Sequence, residues 1–361
     1  MRKPQSDEWG VIRKLLPAGW KKAARATGAF QRARYTCDPG PLLRLLLFHA
    51  VNDGGLRETV SLARAAGIST MSHVSLFKRL KASGDWMQWL GAGLCRGLRD
   101  EPILPERVRL RAVDSTTVQG PASKGTDWRL HYSLDLASLN CDWFELTDAH
   151  GGELLERTPM SPGDVLLADR NYLRPTAVRM AMESGAQVII RLRWTHPAMT
   201  TVQGKPFKVL NRARRLRVGT VGAWRVLLVD PEGDPIPGRV VAVKLPAPLA
   251  EKAKRKATRE AKKKGRTPNP QSIVAAQIIM LFTTLPEEEI SHSNILDLYR
   301  YRWQVELAFK RLKQLLQLGR LPHQNPDAAR CWILSKLVVA LLLETMFRNA
   351  RSFFPWGYEL E

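Results

Sequence analysis

Apolar and polar positions follow two different periods along the chain, and the changes of period divide it into four parts. Residues 1–104 carry helical patterns interrupted by proline and glycine. Residues 105–193 carry short strand patterns such as residues 107–113, where every second position is apolar. Residues 194–286 have turn-rich, strand-like segments that predict a β-rich insertion, and residues 287–361 return to helical patterns.

Residues 299–317 contain no proline or glycine and are rich in strong helix formers, so they predict one continuous helix. Each residue advances about 100° around a helix axis. One apolar stripe then contains Leu298, Val305, Phe309, Leu312 and Leu316. Tyr299, Arg302, Glu306 and Lys313 fall on a second stripe at its edge, which indicates a site. The alternative is a set of solvated positions with ordinary i,i+4 pairing.

Between residues 107 and 192 the pattern predicts three strands, a short helical piece, a strand, a helix and a further strand. This order predicts an α/β protein with a ribonuclease-H-like core, whose sheet mixes parallel and antiparallel strands. Asp114 and Asp169 each follow a predicted strand and precede a small polar segment. They are candidate site residues, although aspartate after a strand is also a common turn former or helix cap.

The charge indicates what the protein binds. The 361 residues include 56 lysines and arginines against 34 aspartates and glutamates, a formal net charge of +22. Such an excess favours a polyanionic partner, nucleic acid before a membrane surface. Four widely spaced cysteines indicate neither a zinc site nor a disulfide framework. No signal peptide opens the chain and its most apolar run, residues 332–343, is too short to cross a bilayer, so we expect a cytoplasmic protein.

Two basic segments are candidate DNA contacts. Residues 56–83 predict two short helices joined by a glycine-containing turn, and the second carries Lys78 and Arg79. This arrangement is typical of a helix-turn-helix, and also of helical pairs that bind nothing. A second cluster, within residues 252–266, includes Lys262, Lys263 and Lys264. It predicts a contact along the DNA backbone, with a merely solvated or disordered segment as the alternative.

The spacing Tyr-x2-Arg-x3-Glu-x6-Lys from Tyr299 to Lys313 resembles the signature of the IS-four family of bacterial insertion-sequence transposases. Val-Asp-Ser-Thr-Thr around Asp114 and Ala-Asp-Arg-Asn-Tyr around Asp169 resemble the first two carboxylate motifs of that family. The resemblance covers most of residues 107–345. Asn171 stands where the family commonly has glycine, and asparagine tolerates a left-handed turn better than most residues.

The resemblance implies a DDE transposase that cleaves transposon ends and joins them to target DNA. Asp114, Asp169 and Glu306 would be its catalytic metal ligands, holding two Mg²⁺ ions, with Mn²⁺ as an alternative. Arg302 and Lys313 would contact DNA phosphates. Tyr299 would bind a phosphate or pack against a sugar, and the alternative for Tyr299 is packing at the helix edge.

The implied partners are the double-stranded transposon ends and the target, bound by a homodimer at the bacterial nucleoid, with no membrane partner. Two other functions stay open. One is a nuclease on the same core without strand transfer, and the other is a non-catalytic DNA-binding remnant of a transposase.

Overall fold

The computed structural model describes residues 8–31, 38–52, 54–98, 108–121, 123, 125–319 and 321–351. Its first part consists of six helices, as the sequence pattern predicts. They are α1 (Glu8–Leu15), α2 (Trp20–Ala26), α3 (Gly40–Val51), α4 (Leu56–Ala65), α5 (His73–Ala82) and α6 (Gly84–Leu98). None of the helices in the described ranges is long and apolar enough to span a membrane.

The helices α4 and α5 are the pair predicted from residues 56–83. The first ends before Gly67, whose φ of +66° suits a residue without a Cβ. The second begins after Ser72, whose hydroxyl accepts a hydrogen bond of 3.2 Å from the Ser75 amide. Leu76 and Leu80, one turn apart, are fully buried, so α5 has one inner face and one exposed face.

The last described helix, α13 (Pro326–Arg351), packs against α3, α5 and α6. Trp332 and Leu337 lie in the same buried cluster as Trp86 and Leu43 of the first helices. The apolar segment at residues 332–343 is therefore part of a core helix. It packs the last described helix and the first helices into one core.

The part of the chain that the structure describes has nine strands in one sheet. Their order across the sheet is β3 (Cys141–Asp148), β2 (Trp128–Asp135), β1 (Arg109–Val118), β4 (Asp164–Ala168), β5 (Gln187–Arg191), β9 (Ile278–Thr283), β8 (Ile236–Lys244), β7 (Val221–Leu228) and β6 (Met199–Thr200). β1, β4 and β5 run parallel, while β2 and β3 are antiparallel to their neighbours. Helix α7 (Pro175–Glu183) connects β4 to β5. This order and these directions confirm the predicted mixed, ribonuclease-H-like sheet.

The insertion extends this sheet. β9 (Ile278–Thr283) pairs with β5 on one side and β8 (Ile236–Lys244) on the other, followed by β7 (Val221–Leu228) and β6 (Met199–Thr200). The same segment also holds three helices: α8 (Val209–Ala213), α9 (Ala247–Lys263) and α10 (Pro270–Ala276). The basic cluster at residues 252–266 lies mostly on α9, and none of the residues of α9 is buried.

The prediction of one continuous helix over residues 299–317 is wrong. The chain forms α11 (His292–Tyr301) and α12 (Trp303–Gln314), which meet at Arg302. Around this residue the backbone bonds span three residues instead of four, from the Arg302 amide to Tyr299 and from the Val305 amide to Arg302. Two side chains at the junction, Tyr299 and Arg302, bind groups on the sheet, and these tertiary contacts accompany the tightened turn.

Candidate active site

The register of two parallel strands brings the aspartates together. Val113 of β1 pairs with Ala168, the last residue of β4, so Asp114 lies beside Asp169, the first residue after β4. The sequence predicts that Asp114 follows the end of its strand, and this prediction is wrong because Asp114 lies inside β1. The reason is that pairing with β2 continues to Val118 after pairing with β4 has stopped.

Arg302 joins Asp114 to Glu306. Its guanidinium donates to Asp114 Oδ2 at 3.2 Å and, through the other terminal nitrogen, to Glu306 Oε1 at 2.6 Å. The Arg302 side chain is only 13% exposed, compared with 20% for Asp114 and 42% for Glu306. A largely buried cation thus holds the acid of the sheet and the acid of α12 on either side of itself.

Tyr299 attaches α11 to the end of β4. Its hydroxyl donates to the Ala168 carbonyl at 3.3 Å, one residue before Asp169. Its ring lies 5.9 Å from the Arg302 guanidinium carbon. Burial raises the pKa of Tyr299 to about 12, and the negative charge of Asp169 adds to the shift. In this arrangement Tyr299 fixes the helix junction against the strand that carries Asp169.

Burial raises the pKa of Asp114 to about 6, and the negative charges of Asp169 and Glu153 contribute. The hydrogen bond of 2.8 Å from the Ser115 amide and the charge of Arg302 act in the opposite direction. Arg302 and the Ser115 amide therefore do not fully offset the burial and the neighbouring negative charges, which destabilise the anionic form of Asp114. The same crowding contributes to the raised pKa of the buried phenol of Tyr172, for which burial is the first cause.

Glu153 is a fourth acid in this region, and the sequence pattern does not predict it. Its Oε1 accepts from Ser115 at 3.0 Å and from Arg129 at 2.7 Å, and its Oε2 accepts from Asn171 at 2.6 Å. It lies within residues 107–345, the range that the resemblance covers. Because its partners come from three separate segments, only the folded chain shows what it binds.

The donor set suits a hard divalent cation, which prefers carboxylate oxygens. Asp114 and Asp169 are adjacent, and Glu306 lies across Arg302 from Asp114. Within the described residues, no three acidic, histidine or cysteine side chains are close enough to form a ready metal site. The residues suit a divalent ion by type, and in this structure Arg302 lies between Asp114 and Glu306.

The remaining predicted contacts lie outside this cluster. Lys313 is exposed in the last turn of α12, and partial burial lowers its pKa. On α5, Lys78 is exposed, whereas Arg79 is half-buried and donates to the Ala29 carbonyl at 3.4 Å. Lys262 and Lys263 form the last turn of α9, and Lys264 caps it. None of these six is brought to the acids by any contact among the described residues.

The fold and the acids define the class of protein: a ribonuclease-H-like enzyme with carboxylates on two adjacent strands and a following helix. Residues 146–342 match the family described as "Transposase DDE domain". The chain belongs to the DDE transposases, metal-dependent enzymes that cleave and transfer DNA strands. The matched range begins after Asp114. The assignment of Asp114 as the first acid is therefore based on its sequence motif and its position in β1.

Relatives of similar length support the family. The chain is 33% identical over 356 residues to the transposase InsL of insertion sequence element IS186A from Escherichia coli K12. It is 34% identical over 359 residues to the transposase of insertion sequence element IS421 from Escherichia coli. Both alignments cover 97% of this chain and 96% of the relative, and both relatives place the chain in the IS-four family.

Among solved structures, the piggyBac transposase synaptic complex with hairpin DNA is similar to this chain, with a TM-score of 0.49 and 11% identity. The similarity covers 96% of this chain and 74% of that one.

Proposed function

We propose that Asp114, Asp169 and Glu306 hold two Mg²⁺ ions with which the protein cleaves transposon ends and joins them to target DNA. The observation that carries the proposal is the pair of strands that places Asp114 beside Asp169, with Glu306 reached through Arg302. Bound divalent ions would activate the attacking water or 3′-hydroxyl and stabilise the leaving oxygen. Mn²⁺ would serve with the same ligands.

The protein's own residues hold and balance charge at this site. Arg302 is the counter-charge of Asp114 and Glu306, and its planar guanidinium also suits a phosphate. A DNA phosphate that draws Arg302 away would leave both acids facing a common space. Tyr299 keeps the junction of α11 and α12 on β4 during this exchange through its bond to Ala168. Lys313, exposed two turns after Glu306, would bind a further phosphate.

Other parts of the chain would bind DNA away from the acids. We assign end recognition to the helical region of residues 1–104, with α5 presenting Lys78 and with Arg79 closer to its packed face. Replacing Lys78 by alanine is expected to weaken binding to end DNA more than to random DNA, and equal losses would contradict base reading. The exposed lysines Lys262, Lys263 and Lys264 would bind DNA phosphates without regard to sequence.

The proposed division of labour follows the four parts of the chain. Residues 105–193 and 287–361 form the catalytic core, and residues 194–286 form the insertion that carries the basic helix α9. We also propose that the protein works in the bacterial cytoplasm, at the nucleoid, as a homodimer assembled on DNA. Mass measurements of the protein with and without end DNA test the assembly. A protein that remains monomeric on two ends would contradict it.

A cleavage and strand-transfer assay tests the function. The substrate is a labelled duplex ending in the inverted repeats that flank the gene, with a supercoiled plasmid as target. With Mg²⁺ or Mn²⁺ we expect cleavage at the end and joined products, and with EDTA neither. Cleavage without joined products would support the nuclease instead. Binding to the ends without any cleavage, with or without metal, would support a non-catalytic DNA-binding remnant of a transposase.

A further inference from the structure

A second charged cleft begins one residue after Asp169. It is lined by Glu153, Arg170, Asn171, Leu173, Arg174, Arg193 and His196. The three arginines and His196 are exposed, so the cleft opens to solvent. Arg170 and Arg174 lie between the end of β4 and the first turn of α7, and Arg193 follows β5, the neighbouring strand. The cleft therefore continues the edge of the sheet that carries the acids.

The positive charge of this cleft is not balanced by acids. Within the described part of the chain, Arg170, Arg174 and Arg193 form no ion pair with a carboxylate. The one acid that lines the cleft, Glu153, is already paired with Arg129 at 2.7 Å. Its second oxygen is bonded to Asn171. Three arginine charges are thus left for an anion from solution.

Asn171 sets the position of one of these arginines. Its amide nitrogen donates to Glu153 Oε2 at 2.6 Å, and its amide oxygen accepts a hydrogen bond from Arg193. Both ends of the amide are therefore used in one orientation. The chain from Ser115 through Glu153 and Asn171 to Arg193 connects the neighbour of Asp114 to the far wall of the cleft. A glycine at residue 171 could not make this connection.

We propose that this cleft binds backbone phosphates of a DNA strand as the strand leaves the acidic site on the Asp169 side. Arginine suits this role because its planar donors match phosphate oxygens and its charge does not titrate near neutral pH. Three exposed arginines, one of them held by Asn171, give several donors around one cleft. The inference rests on the proposed function for the nature of the ligand, and it adds a binding site beyond Arg302 and Lys313.

The test is a salt series of binding to two fluorescent probes, a 40-base-pair random duplex and a 30-nucleotide random single strand, both in EDTA. EDTA separates binding from any metal chemistry. Each lost phosphate contact lowers the slope of log affinity against log salt by about 0.9 for duplex and about 0.7 for single strands. For Arg174→Ala combined with Arg193→Ala we expect a fall of about 1.8 on duplex or about 1.4 on a single strand. The probe that shows the fall identifies the form of DNA bound.

Arg225→Ala is the matched control. Arg225 is an exposed arginine of β7 that already pairs with Glu288 at 3.1 Å, so its loss is expected to leave the slope unchanged. The single variants Arg174→Ala and Arg193→Ala, each expected to give about half the double effect, stand in if the double variant does not fold. An unchanged slope on both probes, in variants that melt like the wild type, would contradict the cleft alone. Wild-type protein that binds neither probe would contradict the proposed function as well.

Asn171→Ala tests the positioning role. It removes no charge, yet it is expected to weaken binding in the wild-type background because Arg193 loses its support. In the Arg193→Ala background the same substitution is expected to have no further effect. Equal losses in both backgrounds would show that Asn171 acts on the structure in general and not through Arg193.

Discussion

The acidic site and the basic helix α9 are both clusters of charge, but they are built in opposite ways. Asp114, Asp169 and Glu306 come from three distant segments. Strand register places Asp114 beside Asp169, and an arginine that is 13% exposed bonds to both Asp114 and Glu306. Helix α9 takes its charges from one continuous segment and has no buried residue. In the acidic site, tertiary contacts determine where each side chain lies. On α9 the side chains are not held by packing, so only the total charge of the exposed surface is determined. Substitutions in the acidic site are therefore expected to be specific, and those on α9 additive.

The largest expected effect is loss of cleavage in Asp114→Asn, Asp169→Asn and Glu306→Gln. Each change keeps the shape of the side chain and removes one anionic ligand. Loss of residues that merely support metal ligands costs about 10–100-fold, so we expect at least about a 100-fold fall for the ligands themselves. Rates are measured with end DNA in Mg²⁺, and binding in EDTA is expected to persist. Asp297→Asn, an exposed acid of α11 that pairs with Arg300, is the control. A wild-type rate in any of the three variants would remove that residue from the site.

A second prediction concerns the stability of the metal-free protein. The pKa of Asp114 is near 3.8 when unperturbed and about 6 in the fold, where burial is the first cause. Between these values the folded state binds more protons than the unfolded state, so stability falls as pH rises through the window. The shift corresponds to roughly 2–3 kcal/mol. We therefore expect Asp114→Asn to raise the melting temperature in EDTA at pH 8, and the gain to shrink towards pH 4.

Buried histidines whose pKa is lowered change the stability in the opposite direction, and their effect must be separated from that of Asp114. Burial lowers the pKa of His49 and of His131 to about 4. Each unfolded histidine binds a proton near pH 6.5 that the folded one does not, so their contribution is lost as pH falls from about 6.5 to 4. The wild type and Asp114→Asn share this contribution, and it cancels in the difference between their melting temperatures. A difference that does not change with pH would contradict the shifted pKa of Asp114.

For the basic helix we expect an additive effect on binding. Replacing Lys262, Lys263 and Lys264 by alanine is expected to reduce the salt slope of duplex binding by about 2.7, if each lysine contacts one phosphate. The cleavage rate of the saturated complex is expected to stay at the wild-type value, because no contact among the described residues links this segment to the acids. Single variants are expected to give about a third of the effect each. A fall in the saturated cleavage rate would show that the two regions are not separate.

The sequence pattern predicts much of the sheet because the strands that carry the acids have local signals. The apolar segment 165–168 ends at Asp169, and the four polar residues from Tyr299 to Lys313 keep helical spacing even across the junction. What the pattern misses depends on distant partners. Asp114 lies inside β1 because of pairing with β2, and the helix is broken at Arg302, whose side chain reaches the sheet.

The same reason explains the two larger omissions. Glu153 has no distinguishing local pattern, and its role depends on Ser115, Arg129 and Asn171, which lie on other segments. The packing of α13 among the first helices brings together residues 246 positions apart, such as Trp86 and Trp332. Local periodicity shows that a helix has an apolar face, but it does not show which other helices or strands pack against that face.

The smallest expected effect concerns Lys313, which shares features with both the acidic site and the basic helix α9. It shares a helix with Glu306, about 10 Å further along the axis, and like the lysines at the end of α9 it is exposed. If it binds one phosphate, Lys313→Ala lowers the duplex salt slope by about 0.9 and leaves cleavage of the saturated complex nearly unchanged. Lys310→Ala is the control, since the Lys310 ammonium lies 5.0 Å from the Trp303 ring centroid on the same helix. Equal slopes for the wild type and both variants, with normal melting, would leave Lys313 as a surface charge. A large fall in cleavage with no change of slope would instead place Lys313 with the position-specific residues around Glu306.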